Sequence, residues 1–296
     1  MSLPPAVYEL LAAPGAFALA AVHARRALGP RRAAVELFAL VAYGYGLERT
    51  AIVAFGSHDY GHAWCSAMGG VPVAVAVTWS AVIVAAMSLA SRLARSSVGR
   101  AAAAALIGIS LDLLMEPVAV RAGLWSWTPP GPWLDVPAGN FIGWAVIMGA
   151  YTFGAERWGA SGPLAAQAVR RLALGGAAVG VLLGVGTVWH ALGAERLFSG
   201  PRGWAACGLL WAATAAMALR PRPSRVNAPR ESAGGPPERG LAARLGAAGG
   251  PLPASVLLLL TAVFATDAMA QGDARLALVA LGSAGVLAAV AGRAAT

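Results

Sequence analysis

Apolar runs of about 20 residues recur from one end of this 296-residue chain to the other, and about 20 helical residues are needed to cross a hydrocarbon core of about 30 Å. Each run therefore reads as a spanning helix. Of the whole sequence 58% is hydrophobic and only 12% charged, about half the charge fraction of a soluble domain. The expected fold class is all-α: a polytopic transmembrane helix bundle, with no soluble catalytic domain.

About nine spans fit, near residues 5–24, 33–56, 71–92, 101–120, 138–156, 172–195, 203–220, 251–270 and 274–292. No basic residue precedes the first run, so the charged start of a cleavable signal peptide is missing and the run counts as a span. The net charge of +9 comes from arginine alone, as the chain has no lysine. Nucleic-acid binding would need those charges on one solvated face with interleaved aromatics, whereas here they fill short gaps between apolar runs. Arg25, Arg26, Arg31 and Arg32 mark the first gap, Arg92, Arg95 and Arg100 the third, and Arg157, Arg170 and Arg171 the fifth. The seventh gap holds Arg220, Arg222, Arg225, Arg230, Arg239 and Arg244. Arginine-rich loops are cytoplasmic, which puts the N-terminus outside and the C-terminus inside. Residues 221–250, rich in Pro, Gly, Ser and Arg, read as a flexible cytoplasmic linker. It divides a seven-helix domain, 1–220, from a two-helix tail, 251–296. No internal repeat is evident, which argues against the inverted-repeat transporters.

Ionisable residues within spans are costly and mark candidate sites. Glu48 lies in the outer part of the second span; Asp112 and Glu116 lie in the outer half of the fourth, four apart and so on one helical face. The bland alternative pairs Glu48 with Arg49 or Arg121 and leaves Glu116 at an interface. Asp112, between Leu111 and Leu113, is deep enough to need a partner. Pro117 removes a backbone donor and frees the carbonyl of Leu113, so local distortion is expected at that turn. Glu36, beside Arg31 and Arg32 at the inner end of its helix, reads as an anchor or cap. Trp125, Trp127 and Trp133 fit either an interfacial belt or a tunnel mouth whose ring faces stabilise a developing cation.

His58 and His62 have the spacing of a metal pair if their loop is helical, but the chain has four histidines, about half of what the His-rich boxes of membrane di-iron oxygenases need. Hydrogen-bonded histidines are the reading adopted, with no metal. His190 either joins the polar group or caps its helix. Cys65 and Cys207 are too few for a disulfide framework; packing is their first role and one disulfide the alternative. No phosphate loop, nucleophile elbow or zinc-protease stretch is present.

Two segments carry more than composition. One runs from Glu48 through Tyr60 and Gly61 to Val71-Pro72 and Trp79. The other is Leu111-Asp112-Leu113-Leu114-Met115-Glu116-Pro117-Val118-Ala119-Val120, followed by Gly123, Trp125, Trp127, Pro137, Asn140, Phe141, Gly143 and Trp144. Together they resemble the membrane-embedded carotenoid biosynthesis proteins of bacteria and archaea, a family that includes γ-carotene 1'-hydratase and bisanhydrobacterioruberin hydratase. This chain departs from that pattern at His62, Ala63, Trp64 and Cys65 and in its proline-rich loop near Trp125, so the resemblance bears on reaction type more than on substrate.

The resemblance implies a hydro-lyase of the cell membrane that needs no cofactor and adds water to the terminal double bond of a lipophilic, C40-type acyclic carotenoid. On that implication Asp112 is the acid, Glu116 or Glu48 handles the water, and Tyr60 and Asn140 give hydrogen-bonding support. Trp79, Trp125, Trp127, Trp144 and His62 face the substrate. A carotenoid cyclase using the same protonation, an ion-coupled transporter and a non-catalytic carrier remain the alternatives.

Overall fold

A computed structural model describes residues 4–61, 64–158, 162–198, 200–220 and 240–295. Each of the nine expected spans is a helix. They are α1 (Pro5–Leu28, with a π turn at Tyr8–Ala12), α2 (Pro30–Phe55), α3 (Val73–Leu93), α4 (Ser97–Arg121) and α5 (Ala138–Arg157). After these come α6 (Leu164–Ala191), α7 (Pro201–Leu219), the short α8 (Leu241–Ala247), α9 (Leu252–Gln271) and α10 (Ala274–Ala295). Among the described residues, seven helices are long and apolar enough to cross a membrane: α1, α2, α3, α4, α6, α9 and α10.

Helix boundaries follow local chemistry. Pro5, Pro30 and Pro201 open their helices, where a missing N–H costs nothing, and the Ser96 hydroxyl caps α4 by accepting from the Gly99 N–H at 3.0 Å. Arg25 and Arg26 fall in the last turn of α1 and Arg31 and Arg32 in the first turn of α2, so Gly29 alone separates the two helices. α4 remains helical through Pro117 to Arg121.

The core is made by α3 and α4, which are apolar around most of their circumference. α4 packs on α3, α5, α7, α9 and α10. Gly44 brings α2 against α3: a Cβ there would fall 2.7 Å from that of Trp79. α9 packs on α1, α3 and α4, and α10 on α4 and α7, so the two C-terminal helices are walls of the bundle.

Part of the expected linker, residues 221–239, lies outside the described residues. Its C-terminal end is α8, whose Leu241, Ala242 and Leu245 are fully buried against α1, α3 and α5. Polar composition conceals this helix, because three apolar side chains in one turn suffice to dock it. The Glu156 carboxylate accepts from the N–H groups of Ala242 and Ala243 at its start, at 2.7 and 3.2 Å, and also pairs with Arg100.

Glu36 is a correction. It is 0% exposed, accepts from Arg171 Nε at 2.8 Å and from the Tyr151 hydroxyl at 3.0 Å, and so forms an ion pair inside the bundle rather than an anchor at its rim. Cys65 is exposed and Cys207 buried, and both are free thiols.

Candidate functional site

The segments after α2 and α4 are tied together by a short antiparallel pair, β1 (His58–Asp59) with β4 (Ser126–Trp127), in the register His58 to Trp127. A hairpin of β2 (Ala67–Met68) and β3 (Val71–Pro72) then leads into α3. Its turn residues Gly69 and Gly70 both have positive φ, 56° and 82°, a conformation that costs glycine little. Extended backbone at His58 removes the helical metal-pair geometry, and His62 lies outside the described residues. Among the described residues no group of three or more His, Cys, Asp or Glu is placed to hold a metal ion.

The three carboxylates lie close enough to interact by charge, but their surroundings differ. Glu48 is crowded with donors: Trp79 Nε1 at 2.6 Å on Oε1, the Tyr60 hydroxyl at 3.0 Å on Oε2, and His58 Nε2 at 3.1 Å from Oε2, off the line of a hydrogen bond. Neither Arg49 nor Arg121 serves it; Arg49 donates to the Gly69 carbonyl and Arg121 pairs with Asp273. Glu116 receives the indole N–H groups of Trp125 and Trp127 at 2.9 and 3.0 Å, both on Oε2. That disposes the two tryptophans inward, where an interfacial belt would turn them toward lipid headgroups. Asp112, 0% exposed, accepts from Asn140 Nδ2 at 2.8 Å on Oδ2, while its Oδ1 has no hydrogen-bond partner among the described residues.

His58 donates or accepts at Nδ1 with the Ser57 hydroxyl, 2.8 Å away. The Ser57 hydroxyl proton is directed at the Ala51 carbonyl at 3.2 Å, which leaves Nδ1 as the donor. Burial by itself pushes the imidazole down from its ordinary value, but the contact and charge of Glu48 outweigh it and raise His58 above 6.5. A raised folded-state value contributes stability that is complete below about 6.5 and is lost as pH climbs through the raised value. The melting temperature of the wild type should therefore exceed that of His58→Gln most in acid and lose the advantage as pH rises. An advantage that grows with pH would contradict the ion pair.

Two cavities flank these groups. The larger, about 300 Å³, lies between α2, α5 and α6 and is lined partly by polar residues, including Ser57, His58, Asn140, His190 and Glu195. The smaller, about 60 Å³, is lined mainly by apolar side chains of α1, α3, α4 and α9. Glu48 and Glu116 line both; Asp112 lies behind Glu116, one turn deeper on α4, and lines neither. Trp79 and Trp144 pack with ring centroids 4.1 Å apart and also line both cavities. His190 sits against Phe55 on the larger one. Glu195, adjacent to that wall, accepts from Ala138 N, Gly139 N and Trp189 Nε1 and so caps α5.

Sequence reasoning passes over Tyr8 and Asp267. Asp267 is fully buried in α9 and accepts the Tyr8 hydroxyl at 2.5 Å. The rule that singles out Asp112, an acid within an apolar span, applies equally to Asp267.

Fold and site define a polytopic helical membrane protein with a carboxylate and tryptophan centre between a small apolar cavity and a larger one of mixed lining. A family model described as carotenoid biosynthesis protein matches residues 6–196. The chain belongs to that family, which implies a carotenoid substrate and a membrane setting. No curated protein and no solved structure matches it. The matched stretch holds Glu48, Asp112, Glu116 and Asn140 and ends before α7.

Proposed function

We propose that this protein is a carotenoid hydratase of the cell membrane, adding water across the terminal trisubstituted double bond of an acyclic carotenoid end group. The observation that carries the reading is the unequal dressing of the carboxylates. Glu48 is surrounded by donors and suits an anion; Glu116 has both indole bonds on one oxygen, which leaves Oε1 without a hydrogen-bond partner among the described residues. Buried ionised carboxylates that lie close together repel each other, so the Asp112 and Glu116 pair is read as sharing one proton.

In this mechanism Glu116 passes its proton to the less substituted alkene carbon. The π electrons form the new C–H bond, and the tertiary cation develops beside the indoles of Trp79, Trp125 and Trp144, which line both cavities. Water enters from the polar wall of the larger cavity, its oxygen bonds to the cation, and its extra proton returns to a carboxylate. The product is a tertiary alcohol, and neither step transfers an electron pair to a redox carrier. The acid role moves from Asp112 to Glu116 because Glu116 reaches the cavities; Asp112 supports it from behind, held by Asn140.

The test is expression in cells that accumulate an acyclic carotenoid, with pigments analysed by mass. A product heavier by one water is expected. A product of unchanged mass with a new ring would identify a cyclase, and inserted protein with unaltered pigment would count against both.

A further inference from the structure

We infer that α9 builds the end wall of a chamber that receives the terminal isoprene unit of the substrate, and that Phe264 and Leu260 set which end groups fit. The inference rests on the hydration reading only for the identity of the reacting bond. Glu48, Tyr60, Trp79, Glu116, Trp125 and Trp144 line both cavities, so the carboxylates stand at a partition with the small chamber on one side and the large cavity on the other. A linear substrate whose reacting bond lies at this partition has its short end in one compartment and its long remainder in the other.

Volume decides which end goes where. One water-sized group occupies roughly 10–15 Å³ on this measure, so about 60 Å³ accommodates four to six such groups, close to a five-carbon unit. The chamber wall is also chemically suited: Ala12, Ala13, Val75, Val82, Leu260 and Phe264 are apolar. Phe264 packs on Tyr8 in a tilted arrangement with ring centroids 4.9 Å apart, and the Tyr8 hydroxyl bond to Asp267 locks α9 against α1. Of this wall, Leu260 and Phe264 of α9 lie outside residues 6–196, the stretch the family model matches. The catalytic groups thus belong to the matched stretch, and the end wall that selects among substrates comes from α9 beyond it.

Purified protein in lipid nanodiscs is titrated with two linear polyenes, one ending in a bare isoprene unit and one whose terminal unit carries an added five-carbon branch. Binding is read by quenching of tryptophan fluorescence, which needs no turnover. The wild type should favour the compact end group. Phe264→Ala should move the affinity ratio toward the branched one by roughly tenfold, the scale of a methylene-sized change in an apolar pocket. Ala12→Leu, which fills the chamber from α1, should weaken both ligands while Trp79 and Trp144 remain buried by acrylamide quenching. An unchanged ratio in Phe264→Ala together with unchanged affinities in Ala12→Leu, with melting profiles intact, would overturn the chamber assignment. If the predicted ratios are found but no water adduct forms in cells, the hydration reading fails and the chamber assignment stands.

Discussion

Glu116→Gln is expected to reduce water-adduct formation by about 10²- to 10⁴-fold, the usual loss when a positioned general acid is removed. Glutamine keeps the size of the side chain, and its carbonyl can still accept the two indole N–H bonds that hold Trp125 and Trp127 in place. The loss therefore reports the missing proton. Asp112→Asn should cost less, roughly tenfold to a hundredfold and so below the general-acid range, because in the proposed mechanism Asp112 acts through Glu116 and it lines neither cavity. Product analysis of both variants at matched membrane levels separates the roles. A larger loss at Asp112 than at Glu116 would return the acid role to Asp112.

The second large effect concerns stability. Arg171→Met leaves Glu36 buried with only the Tyr151 hydroxyl as a named donor, and breaking a buried ion pair from one side costs roughly 3–5 kcal/mol. Replacing both partners, Glu36→Leu with Arg171→Met, should restore most of that, since an apolar pair needs no compensation. Thermal unfolding in detergent, followed by the far-UV signal, distinguishes the cases. If the single and double variants melt together, the pair is not the unit that holds α2 against α6.

Glu36 also marks how far chain neighbourhood misleads. In the sequence it stands beside Arg31 and Arg32, and an anchor at the helix rim follows. Its partner is Arg171, 135 residues away, brought there by the packing of α2 on α6. Glu48 behaves in the same way. Arg49 is adjacent, yet the three groups that surround the carboxylate are Trp79 from α3 and His58 and Tyr60 from the loop after α2.

What the sequence by itself determined is local. An apolar run of spanning length makes its own backbone hydrogen bonds as a helix wherever it ends up, so the nine long helices among the described residues and the shared face of Asp112 and Glu116 were readable from length and spacing. The motif around Leu111 to Trp144 likewise pointed to the family. Which oxygen of which carboxylate is occupied was decided only in three dimensions, because a hydrogen bond needs partners within about 3 Å and hydrophobic periodicity carries no information at that scale. Asn140 meets Asp112 across 28 residues and Tyr8 meets Asp267 across 259. The tertiary structure alone therefore distinguishes Glu116, with both indole bonds on one oxygen, from Glu48, with donors on both, and brings Leu260 and Phe264 of α9 to the smaller cavity.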